Sequence, residues 1–386
     1  MINVAIYGNY AESKIVKRII ETLYNRRLGD IGGERLNVVA IVGIKNDDNE
    51  DSDVAIISLS DYIKLYREQV IQVLIVPIDN YVGADNLIMN LLKLNMNLED
   101  IYCCGRITED LVTDERKMDS FILPYLSTSY FPYFEFHVAD HCNLNCKACE
   151  HYSGLVKGER YPDFDKFSKD FNMLKSYIDD IGVIRILGGE PLLNQELEKY
   201  LYLVREKYPY SHIYIVTNGL LIRSMKTSLI DAIKKNNILM HISFYPPLED
   251  KMKEILNFLE EQEIVYTISE INYKFTKKQT LIKQPDSVTE RIFYNCLQAN
   301  CHNLYDGKIA TCFLPFTTKY FNEYFKLQLP EDEAIDLYNI HLTLEEIKLR
   351  MLVPFERCRY CTNAEEIDWD IIHKPSCLED WIVSKG

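Results

Sequence analysis

The sequence predicts an α/β chain in three parts, and three observations carry that expectation. Short apolar runs alternate with amphipathic stretches from the start to about residue 110. The alternation resumes near 133 and fades beyond about 275, where the pattern changes. Six of the 11 cysteines then fall between 296 and 377. Apolar strands separated by helices build parallel sheets covered on both faces. The expected architecture is a Rossmann-like domain over 1–125, a partial (β/α)6 barrel over 126–290, and a small domain with a β-hairpin over 291–386.

The first part reads as "NVAIYGN" (3–9), a helical "ESKIVKRIIETLYNRR", then "LNVVAIVGI" (36–44), "VAIISL" (54–59), a helical "SDYIKLYREQ", "VLIVPI" (73–78), a helix near 84–94 and "DIYCCGRI" (100–107). Its first turn, "GNYAESK", holds Gly8 and no further glycine, so the G-x-G-x-x-G fingerprint of dinucleotide binding is absent. Asp47 and Asp48 follow the second strand, where a ribose-binding acid would sit. A structural or substrate-docking role is the expectation. Cys103 and Cys104 end an apolar strand and read as small core hydrophobes.

The second series runs from "YFEFHVAD" (133–140) into a cysteine-rich loop. It continues through "VIRILGGEP" (183–191), "HIYIVTNGL" (212–220), "ILMHISFYPP" (238–247) and "IVYTISEI" (264–271), with helices between. Five strands are too few for a closed eight-strand barrel and enough for an open one. In the third part, "YNCLQANCHNLYDGKIATCFLP" (294–315) turns at Asp306-Gly307 between strand-like flanks, a hairpin signal.

Composition narrows the function. Apolar residues make up 47% and charged residues 26%, ordinary for a soluble globular protein. The net charge of −15 argues against a nucleic-acid groove, which needs clustered Lys and Arg. No apolar run is long enough to span a bilayer, and "MINVAIYGNYAESK" has no charged n-region, so a cytoplasmic location is expected. An odd count of 11 cysteines argues against a disulfide framework. In a reducing compartment such cysteines serve metal binding or catalysis.

"HCNLNCKACEH" (141–151) places Cys142, Cys146 and Cys149 within eight positions. Three thiolates cannot close a tetrahedral zinc site or a four-cysteine iron–sulfur site. Either a fourth ligand such as His141 or His151 joins them, or one coordination position stays open. A loop at the C-terminal mouth of a barrel strand is where chemistry belongs in such folds.

C-x3-C-x2-C after the first strand of a partial barrel resembles the radical S-adenosylmethionine (SAM) superfamily. The resemblance implies that the three cysteines hold three irons of a [4Fe–4S] cluster and that SAM chelates the fourth. Reductive cleavage of SAM then gives a 5′-deoxyadenosyl radical that abstracts a substrate hydrogen, the electron coming from a donor such as flavodoxin or ferredoxin. "GGEP", Gly188, Gly189, Glu190 and Pro191, resembles the motif that contacts the SAM amino group. Glycines there let backbone carbonyls approach the ligand. Thr217 and Asn218 of "TNG" and Ser243 of "HISFYPP" end the third and fourth strands, Ser243 being the candidate for the ribose. Ser269 or Glu270, after the fifth strand, is a further candidate to line the pocket. The residue before the third cysteine is aromatic in the family and is Ala148 here, which leaves a backbone contact to the adenine.

Beyond the barrel, Cys296, G-x4-C at Gly307 and Cys312, and C-x2-C at Cys358 and Cys361 resemble a SPASM or twitch domain, which binds auxiliary [4Fe–4S] clusters. Two auxiliary clusters would need about eight thiolates. Six are present, so one cluster is the better count. Cys296, Cys312, Cys358 and Cys361 are the expected ligands, with Cys301 a rival to Cys296 and Cys377 read as structural. A zinc ribbon is the plainer alternative. His137, His241 and His302 read as packing histidines. "CNLNCKACEHYSG", "DGKIATCFLP" and "PFERCRYC" are similar to radical SAM proteins of polysaccharide-biosynthesis loci. That resemblance implies a sugar or nucleotide-sugar carbinol as the substrate, to be oxidised or epimerised. A maturase of ribosomally made peptides and a non-catalytic metal-binding interaction protein are the rivals.

Overall fold

The computed structural model describes residues 1–43, 54–77, 84–111, 113–331 and 333–383. Contacts divide the chain into two units, Met1–Pro132 and Tyr133–Gly386.

The first unit is built on β1 (Ile2–Tyr7), β2 (Leu36–Val42), β3 (Ala55–Ile57), β4 (Val73–Pro77), β5 (Ile101–Cys104) and β6 (Ile122–Pro124), in the order β3-β2-β1-β4-β5-β6. The first five are parallel and β6 is antiparallel to β5. This is a doubly wound order that reverses beside β1. Val4, Ala5 and Ile6 are fully buried, as are Cys103 and Cys104 of β5. β6, a three-residue "ILP", is too short to announce itself by periodicity. The first helix, Tyr10–Ile19, is capped by Asn9, whose side chain accepts the Glu12 N–H at 2.9 Å. That cap occupies a helix-terminal donor of the kind a nucleotide phosphate would use. Asp47 and Asp48 lie outside the described residues.

The second sheet contains β7 (Tyr130–Ala139), β8 (Asp180–Gly188), β9 (His212–Thr217), β10 (Leu239–Ile242) and β11 (Tyr266–Ile268) side by side in chain order. Pairs from β8 to β11 are parallel. The next strand, β12 (Lys274–Gln279), does not extend this row to six. Its "KFTKKQ" is too rich in lysine to be buried on both faces. It pairs antiparallel with the acidic β16 (Cys361–Asp368), where Lys277 meets Glu365 at 2.9 Å and Lys274 meets Asp368 at 2.6 Å. The sixth parallel strand lies at the opposite edge. There β13 (Asn303–Tyr305) pairs parallel with β7 and turns back through Asp306 and Gly307, at φ 53° and 77°, into β14 (Lys308–Ala310). Positive φ at both positions suits a two-residue hairpin turn. β15 (Ile335–Asp336) completes the sheet.

β7 is buried along its whole length. Phe136 meets Phe171 of the helix Phe164–Tyr177 edge-on at 4.9 Å, with Phe167 and Tyr208 closing the cluster. Asp163 caps that helix through the Lys166 N–H (2.8 Å). No helix among the described residues is long and apolar enough to cross a membrane. Replacing Phe171 with Ala should cost about 3–5 kcal/mol. Both tryptophans, Trp369 and Trp381, belong to this second unit. Urea unfolding followed by tryptophan fluorescence should therefore show the midpoint fall, whereas an unchanged midpoint would refute this core assignment.

Candidate active site

β7 delivers the chain to the cysteine loop, whose backbone is satisfied by distant partners. Lys147 N–H donates to Asp370 O (2.8 Å), Ala148 N–H to Asp380 O (2.9 Å) and Ile372 N–H to Asn145 O (2.6 Å). Cys146 forms an isolated bridge with Ile371. Ala148 is buried at φ 53°, and its N–H is taken by Asp380 rather than left for an adenine. That N–H is directed toward the C-terminal segment.

The GGEP turn sits directly on this loop. Gly189 N–H donates to Ala139 O (2.7 Å) and Glu190 N–H to His141 O (3.1 Å). A Cβ on Gly188, at φ 133°, would stand 2.1 Å from Ala139 O, and one on Gly189 would stand 2.2 Å from His141 O. The glycines thus let the GGEP turn approach the entry of the cysteine loop closely.

Glu190 is fully buried, and Pro191 beside it is buried as well. Its Oε1 accepts from Thr217 Oγ1 (2.7 Å) and Leu192 N–H (3.0 Å), and its Oε2 from Asn218 N–H (2.8 Å). Burial pushes its carboxyl up to about 7, against the pull of those donors. The side chains of Glu190 and Thr217 are thus paired with each other. Asn218 Nδ2 reaches Asn143 Oδ1 (2.7 Å) and Cys142 Sγ (3.6 Å). Ser243 N–H donates to Thr217 O (2.9 Å), and its side chain is half-buried. Ser269 closes a turn by accepting from Phe244 N–H (2.9 Å) and donating to Glu270 O (2.8 Å), while Glu270 is exposed.

The three thiols share an environment that penalises their charge. Burial comes first for each. It pushes Cys146 up to about 12, with Cys149 adding to it, and raises Cys142, where Glu190, Cys149 and Cys146 add to it. Cys149 is raised as well, against the N–H groups of Ser153 and His151. Crowded, buried thiols are stable as thiolates only beside a cation such as cluster iron. Among the described residues no three Cys, His, Asp or Glu side chains converge as a single ion requires; a four-iron cube takes one thiolate per corner. His141 Nδ1 accepts the Arg160 N–H (3.0 Å), and the ring of His151 lies on Phe313 at 3.9 Å.

Tyr245 was missed in the sequence. Its hydroxyl is raised by burial and then by Cys146, Cys149 and Cys142, so it lies within electrostatic reach of all three thiols. Phe275 (5.6 Å) and Trp369 (6.0 Å) hold its ring. The signal was an aromatic at the end of "HISFYPP", two residues past the polar candidate. His241 Nδ1 pairs with Thr267 Oγ1 (2.9 Å) and His302 Nδ1 with Tyr133 O (3.1 Å), as packing histidines do. His137 differs: its Nδ1 lies 3.5 Å from Asp140 Oδ1, and its Nε2 is buried with no hydrogen-bond partner.

Away from this loop, Cys296, Cys312, Cys358 and Cys361 line one cavity. Burial raises Cys312, with Cys358 and Cys296 adding to it, and Cys358, with Cys361 adding to it. Arg357, 2% exposed, lines the same cavity. Its Nε donates to Thr318 Oγ1 (2.8 Å), its Nη1 has no hydrogen-bond partner, and its charge favours the Cys361 thiolate against burial. Four thiols around a buried cation fit a closed, negatively charged cluster. Cys301 is not among the lining residues; it lies within electrostatic reach of Glu135 and Arg185. Cys377 is exposed. Gln298, at this cavity, donates to Glu150, the residue after Cys149.

Residues 137–268 match the family model described as Radical SAM superfamily. The GTP 3′,8-cyclase of Clostridium botulinum (strain Okra / Type B1) is 30% identical over 125 residues, covering 32% of this chain and 38% of that protein. The GTP 3′,8-cyclase of Clostridium acetobutylicum is 30% identical over 157 residues, covering 39% and 47%. The chain thus spans less than half the length of these curated relatives. Among solved structures, BtrN in complex with AdoMet and 2-DOIA is 17% identical, with a TM-score of 0.38 over 60% of this chain and 93% of that one. Streptococcus suis SuiB bound to S-adenosylmethionine is 17% identical, with a TM-score of 0.31 over 50% and 45%. The three-thiol loop on the first of five ordered strands and the family match agree: residues 137–268 form a radical SAM domain, of a family that uses a [4Fe–4S] cluster and S-adenosylmethionine.

Proposed function

We propose that this chain is a radical SAM enzyme acting on a carbinol carbon of a sugar or nucleotide-sugar, which it oxidises or epimerises. In this reading Cys142, Cys146 and Cys149 hold the SAM-binding cluster. Cys296, Cys312, Cys358 and Cys361 hold an auxiliary [4Fe–4S] cluster. A flavodoxin or ferredoxin is the expected electron donor. The observation that carries the reading is the four-cysteine cavity with Arg357 against it. The bound groups supply a hydrogen-abstracting radical and a second redox centre. The protein's own residues position, neutralise and exclude water. Asn218 donates to a cluster thiol and steadies the loop through Asn143. Tyr245 fills space beside the three thiols and keeps it dry.

Anaerobic reconstitution should load about eight irons per chain, two four-iron cubes. The double variant Cys358→Ser/Cys361→Ser should lose about four of them, and Cys301→Ser should lose none. Bound zinc without SAM cleavage would defeat the proposal. With nucleotide-sugars deuterated on the ring, label should appear in 5′-deoxyadenosine; label arriving from a peptide instead would favour peptide modification.

Glu190 acts as a positioning residue in this scheme. Glu190→Gln turns an amide N–H2 toward the Asn218 N–H, leaving a buried donor unpaired. The expected loss is about 1–3 kcal/mol of stability, together with weaker SAM binding by equilibrium dialysis. SAM affinity matching the parent protein would show that the clamp does not shape the cofactor site.

A further inference from the structure

Between β7 and the hairpin the sheet opens. β13 pairs with β7 at Asn303↔Glu135 and Leu304↔Phe136, and the pairing ends there. A cleft of mixed polar and apolar lining lies beyond, bounded by the start of the helix Phe164–Tyr177. His137 lines it with a side chain 2% exposed and an Nε2 that no hydrogen bond satisfies. Burying such an atom costs free energy unless something pairs with it. Lys319 also lines the cleft. It donates to Tyr305 OH (3.1 Å), and no carboxylate pairs with it among the described residues. Tyr305 in turn donates to Asp140 Oδ2 (2.6 Å), which accepts from Tyr320 as well.

The charges around the cleft nearly cancel. Lys166 is bound by Asp306 (2.8 Å) and Asp170 (3.1 Å), and Asp163 is spent on capping the helix. A phosphate placed here would face three aspartates. A wholly apolar ligand would leave the His137 Nε2 without a partner. A hydroxyl both donates and accepts, so a ring bearing several hydroxyls suits this mixture, with the exposed ring of Tyr161 beside it for its C–H surface. The cleft also shares a wall with the cofactor loops. Tyr161 donates to Leu193 O (3.2 Å) just past the GGEP turn and meets the His141 ring edge-on at 4.8 Å. Asp140 N–H donates to Arg160 O (2.9 Å).

We infer that this cleft binds a neutral polyhydroxylated ring, a sugar or cyclitol, and that His137 and Lys319 read its hydroxyls. The inference rests on the proposed function and adds the place where the substrate sits. Saturation-transfer NMR on the reconstituted holoenzyme with SAM tests it, using myo-inositol, N-acetylglucosamine and UDP-glucose as probes and inorganic phosphate as competitor. Ring protons of at least one probe should be saturated, and phosphate should not displace it. Lys319→Met and His137→Phe should each weaken that binding about tenfold, the worth of one hydrogen bond. Unfolding midpoints would show that each variant is folded, and Lys319→Met decides alone if His137→Phe is not. Absence of ring saturation from all three probes, displacement by phosphate, or binding that the folded variants leave unchanged overturns the inference. Failure of the parent holoenzyme to release 5′-deoxyadenosine, with ring binding intact, would instead remove the proposed function and leave the cleft as a carbohydrate site.

Discussion

A buried carboxylate is costly unless its oxygens are paired, and the cofactor end of this barrel is organised around one. Glu190 has no solvent, and its donors come from two segments: Leu192 in its own turn, and Thr217 and Asn218 at the end of β9. Moving either strand end would strand that carboxylate in a low-dielectric interior, at a penalty of several kcal/mol. Asn218 extends the constraint, since its backbone serves Glu190 while its side chain holds Asn143 and Cys142. One acid therefore fixes the GGEP turn, the TNG loop and the first cysteine to each other. The two glycines finish the assembly by letting backbone meet backbone.

The other half of the cysteine loop is held from the far end of the chain. Its N–H and C=O groups have no helix or strand of their own to pair with, and buried backbone groups must pair with something. Asp370, Ile372 and Asp380 provide the partners. Ile372 also packs so close to Gly154 that a Cβ there would come within 2.8 Å of its Cδ1. The C-terminal residues are for this reason part of the three-cysteine site rather than an appendage, in keeping with the single compact unit from Tyr133 onward.

Much of this was legible before any coordinates. Strand periodicity gave the two parallel series, Asp306-Gly307 gave the hairpin, and C-x3-C-x2-C gave the open three-thiol loop. What escaped the sequence was long-range. Nothing near Ala148 in the chain says that Asp380, more than two hundred positions away, will take its N–H. Likewise, the lysines of β12 mark it as unfit for a buried sheet, but its partner is the distant acidic strand β16. Motif spacing marks Glu190 and Thr217 as special without showing which way their side chains turn, and they turn toward each other. Cys296 and Cys301, five positions apart, were equivalent by spacing. They differ because the turn at Leu297–Asn300 leaves Cys296 on the four-cysteine cavity and Cys301 beside Glu135 and Arg185.

The two cysteine sites also differ in more than the number of thiols. At the three-thiol loop the charged neighbour of Cys142 is Glu190, which opposes thiolate formation. At the four-thiol cavity it is Arg357, which favours it at Cys361. In a low-dielectric interior such fixed charges act strongly over short distances. A chain with a net charge of −15 has little positive charge to spare for its interior, yet it buries a guanidinium with one nitrogen unpaired. That expense is explicable if the cavity carries negative charge when filled, as four thiolates around iron would. Glu150 lies between the two sites, next to Cys149, bound on one side by Lys278 (3.1 Å) and on the other by Gln298. Its ion pair with Lys278 partly offsets an anion that still opposes thiolate formation at Cys149 and at Cys361.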